Sequence, residues 1–408
     1  MTMLPFEYAT RNLGRSVPRL VLSVLGAALV VLLTMAGAGF AAGMDGALRA
    51  TGHERNVILL GAGSEESMER SEIKPAVAGI VAASVRGIAA LGGQALVSPE
   101  ISVPLPVQPL RPGEPAPDPE RTAAESRGIG LVRGVTAEAF LVHPQVRLAA
   151  GRAPESGADE VILGASAAKR AGFDPAALAA ALRPDGSGGP AVAIDARTLR
   201  VVGLFEAPGT VMDGEVWMPL TDVLVLTQRD TISAVVVALG PQAEPADLDV
   251  FAQRRLDLEL SAIHEPSYYA AQSAFYRPVR IMVLASAVLV AAGALLGGIN
   301  TMYAAFASRV RELGTLQVLG YTRTAIAVSL LQESLLASMT GALLAVGAAL
   351  WLIDGIDIQF SMGTFGIAID QRVVALGLAA GLVVGAGGCI VPAIRCLRMP
   401  LPAALKSD

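Results

Sequence analysis

The chain has 408 residues, of which 53% are hydrophobic, 16% charged and 4% aromatic, and its formal net charge is −5. Soluble domains carry about 25% charged residues, so the deficit points to a membrane protein; yet 16% is too high for a chain lying wholly in a bilayer, and part of it must be an aqueous domain. The composition excludes collagen, coiled coil, disordered tail and disulfide-stapled scaffold, and the negative balance argues against a nucleic-acid binder.

The first 19 residues form a basic lead with Arg11, Arg15 and Arg19, followed by 25 uncharged residues, Leu20 to Met44. About 20 apolar residues suffice to cross the hydrocarbon core as a helix. The run exceeds the roughly 7–15 residues of a signal-peptide core, so it reads as a retained span.

Residues 45–277 read as an aqueous domain of mixed α/β texture, large enough for two subdomains. Asn56–Leu60 predicts a strand closed by Gly61. Ile73–Leu91 predicts a helix, with Ile73, Val77, Ile80, Val81, Val85 and Ile88 at helical spacing. Residues 99–119 hold eight prolines and read as a loop or linker. Glu160–Leu163, Val192–Ile194, Leu199–Phe205, Val216–Leu220 and Ser233–Leu239 read as strands. Short helices are expected at Ala165–Ala171 and between the last two strands. Ala246–Ile263 reads as a helix returning to the membrane.

Three further uncharged runs follow: Ile281–Ser308, Thr324–Ile353, interrupted by Glu333, and Val373–Ile394. Gly293/Gly297 and Gly381/Gly385 are small-residue pairs at the four-residue spacing of close helix packing. The stretch Tyr276–Ser308 has one proline, Pro278, near its start, and predicts a continuous stalk and span, with Gly297-Gly298 as a weak point. The resulting boundaries are 1–19 lead, 20–44 first span, 45–277 outer domain, 278–308 stalk and second span, 309–323 loop, 324–353 third span, 354–372 outer loop, 373–394 fourth span and 395–408 tail. The lead, the 309–323 loop and the tail carry nine basic residues against three acidic ones, while 43–280 carries 21 against 29. Basic short loops face the cytoplasm, so both termini and the 309–323 loop are expected there.

Enzyme chemistry is not legible. His53, His143 and His264 have no second ligand at i+3 or i+4 and read as exposed or locally paired, so no metal site is expected. Cys389 and Cys396 lie at the cytoplasmic end of the last span, where neither a disulfide nor a metal clip is expected. No glycine is followed by lysine, so the phosphate-binding G-x-x-x-x-G-K-[ST] loop is absent and any ATP-driven work belongs to another chain. Glu333 is the one acidic residue inside a span. A charge at mid-span costs about 2.5–3.5 kcal/mol on insertion scales, and by helix rise it lies about 13 Å from the cytoplasmic end. It reads either as an interhelical contact that transmits movement or as a carboxyl shielded by Ser and Gln neighbours.

The most informative segment is Arg309–Arg323. Val310, Leu313, Leu316 and Leu319 recur at spacings of three, the stripe of a short amphipathic helix, and Gly320 ends it. Such a helix lies on lipid headgroups or docks into a cytoplasmic partner. Arg311, Glu312, Leu313, Gly314, Leu316 and Gly320 resemble the coupling helix of the permease superfamily that includes MacB, LolC and FtsX; Gln317 departs where that family usually has a basic residue, and Arg309 precedes the motif. Tyr8–Leu13 resembles the family's lead. Gly151-Arg152 with Glu160–Gly164, Val201–Phe205, Gln332-Glu333, and Pro392-Ala393, Arg395, Arg398, Pro400 and Ala403–Leu405 resemble its other motifs in order.

The resemblance implies a membrane α-helical protein with four spans in a 1+3 arrangement and a large MacB-like extracytoplasmic α/β domain, in the inner membrane. It implies a non-catalytic permease subunit, with Arg309, Arg311, Glu312, Leu313, Gly314, Leu316, Gln317 and Gly320 as the ATPase-coupling segment. It implies no cofactor on this chain, ATP and Mg being held by a cytoplasmic ABC ATPase, and a second permease copy or paralogue as dimer partner in the lipid. A periplasmic adaptor or outer-membrane partner stays open. The expected function is export or extraction of substrate, driven by movements of the outer domain; the alternative is an FtsX-like regulator of cell-wall hydrolases that transports nothing.

Overall fold

The computed structural model describes residues 6–13, 17–110, 129–195, 197–360 and 363–398. Arg15, Pro112, Pro115, Pro117 and Pro119, and the closing Pro400 and Ala403–Leu405 lie outside the described residues. The described chain forms two compact units: residues 1–43, 277–356 and 367–408, and residues 44–276 with 357–366.

The first unit is helical. Among the described residues four helices are long and apolar enough to cross a membrane: Leu20–Thr51, Arg277–Ala307, Arg323–Leu352 and Gln371–Arg395. Their sequence order is one, then three, around the intervening domain. Small residues set how closely they approach. A Cβ on Gly381 would lie 2.8 Å from Ala342 Cβ, and one on Gly377 would lie 2.6 Å from Met35 Cγ. The Ser334 hydroxyl donates to the Gly385 carbonyl at 2.7 Å. Without a hydrophobic drive between helices in lipid, such close packing and interhelical hydrogen bonds supply the association. The Gly381/Gly385 pair is therefore a packing seam. The Gly293/Gly297 pair is not one among the described residues, since a Cβ at either position would meet no atom within 4 Å.

In the second unit the strands run β1 (Asn56–Gly61), the two-residue β2 (Ala90–Leu91) and β3 (Gln94–Ala95), β4 (Val97–Pro109), β5 (Ile129–Val135), β6 (Arg147–Gly151), β7 (Glu160–Gly164), β8 (Ala191–Ile194), β9 (Arg197–Glu206), β10 (Glu215–Pro219), β11 (Ala234–Ala238) and β12 (Leu260–His264). A hairpin of β13 (Asp357–Phe360) and β14 (Gly363–Gly366) completes it. Ten strands make one sheet in the order β12-β1-β11-β4-β5-β10-β7-β9-β6, with β8 pairing β4 and β9. Its core holds Leu59, Val201 and Val235 in one cluster and Phe205, Val202 and Trp217 in another.

Three expectations are corrected. The proline-rich stretch is a strand up to Pro109, not a loop. Val97–Glu100 of β4 pairs with β11, Ile101–Pro106 with β5, and Val107–Pro109 with β8. The partner changes along β4, so most of its length is paired on one side at a time, the edge-like setting in which strand prolines are tolerated. The helix expected over Ile73–Leu91 shrinks to Ala76–Ser84, because Ile73 and Ile88 make antiparallel bridges to Ile232 and Leu239. The returning segment is helical only from Pro245 to Arg254; Leu260–His264 pairs with β1 instead. A helix then covers Glu265–Phe275, and Tyr276 separates it from Arg277–Ala307.

Candidate functional site

Two places gather the chemistry. In the first unit, helix Val310–Val318 occupies the basic loop. Glu312 stands in its first turn, favourable to the positive helix end. Gly320, at φ 94°, takes the left-handed conformation that closes the helix, with Tyr321 N donating to Leu316 O at 3.1 Å. Thr322 then caps the next long helix by accepting from Ala325 N at 3.2 Å.

The helix has two faces. Val310, Leu313 and Gly314 are buried, and Leu313 packs with Phe306, Ile326, Leu330, Ala393 and Leu397. Arg311, Glu312 and Gly320 are exposed, Leu316 and Gln317 are half-buried, and Val318 and Leu319 are 65% and 70% exposed. The stripe from Val310 to Leu319 thus divides: its start holds the helix to the bundle and its end stands open. Val318 escaped the reading because it falls between positions of the three-residue stripe.

Arg309 joins this helix to the membrane helices. Its Nη1 lies 3.4 Å from Glu333 Oε2 and its Nε 3.3 Å from Glu312 Oε2. Glu333 is 2% exposed. The guanidinium supplies the counter-charge that an intramembrane carboxylate needs, and the contact links the start of the short helix to the third long helix.

The second place is inside the sheet. Arg133 reaches Glu215 through two hydrogen bonds of 2.6 Å and Glu100 through one of 2.7 Å. His143 Nε2 lies 2.8 Å from Glu100 Oε1, and its Nδ1 lies 3.8 Å from Glu265 Oε1. Trp217 Nε1 donates to Glu215 at 2.8 Å, and His53 N donates to Glu265 at 2.9 Å. All five charged side chains are at most 3% exposed. Register explains the convergence: Arg133 is paired with Ser102 on one side and Trp217 on the other. Residues two apart on a strand share a face, so Glu100 and Glu215 join Arg133 there.

The histidine expectation fails at His143, which is buried and paired with a residue far away in sequence. Burial pushes the Glu100 carboxyl up, but His143 and Arg133 more than offset it and hold it at about 2. Burial pulls the His143 imidazole down, yet Glu100 raises it above its ordinary value. Burial raises Glu265. The network's members come from separate strands, from the segment at His143 and from the start of helix Glu265–Phe275, and their hydrogen bonds and ion pairs tie these segments together. Among the described residues no group of three His, Cys, Asp or Glu is arranged to hold a metal ion.

The Gly151-Arg152…Glu160 motif also has a physical basis. Arg152 grips the buried Glu160 with two bonds of 2.7 Å, and Arg200 adds a third at 2.8 Å. Burial pushes Glu160 up, and these hydrogen bonds overcome it to leave the carboxyl below its ordinary value.

Among the described residues, four membrane-length helices in a one-plus-three order, with a mixed α/β domain of about 230 residues after the first, describe a membrane-helical protein with a large extracytoplasmic domain. The MacB-like periplasmic core domain matches residues 21–249, and the FtsX-like permease C-terminal domain matches residues 284–401. The chain belongs to the MacB/FtsX family of ABC-type permeases. Among solved structures it is similar to the periplasmic region of MacB from Actinobacillus actinomycetemcomitans, at 14% identity over 55% of this chain and 94% of that one, TM-score 0.38. It is also similar to the extracellular domain of the noncanonic ABC-type transporter YknZ from Gram-positive bacteria, at 11% identity over 51% of this chain and 99% of that one, TM-score 0.35. No curated protein matches the chain.

Proposed function

We propose that the chain is the permease subunit of an ABC system in the inner membrane, with both termini in the cytoplasm, and that it works on substrate by export or extraction at the outer face. A separate cytoplasmic ATPase docks on helix Val310–Val318, and a second permease copy or paralogue completes the membrane part. Hydrolysis on the partner moves this helix; the membrane helices carry the movement to the outer domain. This chain performs no catalysis itself.

The division of the helix into two faces supports this reading most directly. One face is locked to the bundle through Leu313 and the Arg309–Glu333 pair, so a force applied to the helix passes into the long helices. The other presents Arg311, Glu312, Val318 and Leu319, an apolar pair beside charges of both signs. Exposed apolar residues rimmed by polar ones mark interaction sites.

The test is affinity purification of the tagged chain in mild detergent with an ATPase assay of the eluate. A stoichiometric ATPase should accompany the parent and be lost from Leu319→Glu, whose side chain is exposed and whose fold is undisturbed. Co-purification of a cell-wall hydrolase without any ATPase, or an ATPase retained by Leu319→Glu and Arg311→Glu alike, would overturn the assignment.

A further inference from the structure

A groove of about 660 Å³ opens in the outer domain between the segment after β1 and helix Glu265–Phe275. That volume lies within the range of small-molecule sites, about 300–1,000 Å³. Its apolar wall comes from Ile263, Tyr268 and Tyr276. The segment opposite carries Glu65, Glu66 and Glu69, with Arg70 as the one cation at the rim. The two sides are pinned together: Gln272 Nε2 donates to Glu66 O at 2.7 Å, and Met68 N donates to the Tyr268 hydroxyl at 3.0 Å. The groove is thus built by side-chain contacts from both walls.

Three carboxylates against the single guanidinium of Arg70 leave the groove's lining net negative. Among the described residues none of the three carboxylates forms a salt bridge. Glu69 is half-buried, and burial pushes its carboxyl up against the pull of Arg70, as for an acid that lacks a matched cation of its own. Behind it lies a chamber of about 30 Å³ that shares Ser67, Glu69 and Tyr268 with the groove and reaches the Arg133–Glu215 ion pair. Low-dielectric walls lined by one sign of charge focus the field into the cleft. Tyr268 is buried and backs the wall, while the half-buried Tyr276 adds an aromatic surface that attracts cations, most strongly ammonium groups stripped of water.

We infer that this groove is a binding seat for a small organic cation with an aromatic or apolar body, its ammonium held between the carboxylates and Tyr276. The body lies against Ile263 and Tyr276, and the charged end faces Glu66 and Glu69. A bound cation clamps the segment after β1 to helix Glu265–Phe275, which leads directly into the second long helix. An anion is rejected by the three carboxylates, and a neutral body forfeits their attraction.

The experiment uses the full chain in nanodiscs and equilibrium dialysis of benzyltrimethylammonium, with empty nanodiscs subtracted. One saturable site per chain is expected, with benzyl alcohol and benzenesulfonate binding at least tenfold more weakly. The double variant Glu66→Gln/Glu69→Gln should weaken the cation at least tenfold, and Ala271→Trp, an exposed position on the groove wall, should abolish it. Both variants should unfold at the parent's temperature. Equal binding of alcohol and cation, an affinity unchanged in the double variant, or no binding to a normally folded parent would overturn the inference. No ATPase takes part, so the outcome is independent of whether the chain couples to one.

Discussion

Arg309 and Glu333 stand 3.4 Å apart, one at the start of the short helix and the other inside the third long helix. Breaking a buried pair by removing one partner costs about 3–5 kcal/mol, because the other charge is left uncompensated. Arg309→Met should therefore lower the melting temperature in detergent sharply. Adding Glu333→Gln should recover most of that loss. A double variant as unstable as Arg309→Met would show that the pair is incidental.

The two faces of helix Val310–Val318 should respond differently to substitution. Leu313→Ala empties a packed site and should cost about 2–5 kcal/mol. Leu319→Glu and Val318→Glu change exposed positions and should stay within about 0.5 kcal/mol of the parent. Thermal unfolding of the three variants checks the ranking, and equal losses would contradict the division.

The buried network sets a pH dependence. His143 is raised in the fold, so its contribution to stability is complete below the unfolded value of about 6.5 and is lost as pH rises through the folded value. Glu265, also raised, acts with the same sign from a lower starting pH. Glu100, held at about 2, contributes above its unfolded value near 4.5 and loses that contribution as pH falls toward 2. Melting temperatures measured from pH 5 to 9 should decline at the alkaline end in the parent. His143→Gln should flatten that decline while lowering stability at pH 5, and Glu265→Gln separates the second group. A His143→Gln profile parallel to the parent's would refute the linkage.

The glycine pairs offer a contrast inside the membrane. Gly381→Val must displace Ala342 and should cost about 1–3 kcal/mol, as overpacking does. Gly293→Val meets open space and should leave the melting temperature of the monomeric chain unchanged. Stability of both variants in detergent checks this, and equal effects would place Gly293 in a seam as well.

Local patterns made much of the architecture legible. Four apolar runs, the strands Asn56–Leu60 and Glu160–Leu163, and the closure of the short helix at Gly320 each depend on consecutive residues, and each has its counterpart in the structure, although the first long helix continues past Met44 to Thr51. The Pro99–Pro109 strand and the Leu260–His264 strand were not legible, because pairing with distant partners overrode local preference there. Periodicity identified a helix with an apolar stripe over Val310–Leu319, but which part of that stripe is covered depends on Ile326, Leu330 and Ala393, brought in by other helices.

Chain order and hydropathy by themselves determined that this protein has four membrane-length helices and a mixed domain after the first, because crossing a bilayer demands an unbroken apolar run of fixed length. Only the tertiary structure decided what its charges do. Glu100, Arg133, His143, Glu215 and Glu265 are dispersed over five segments; strand register brings Glu100, Arg133 and Glu215 together, and Arg309 meets Glu333, 24 residues further along the chain. A buried charge is tolerated only where a counter-charge arrives from elsewhere in the fold, and one-dimensional spacing carries no record of that arrival.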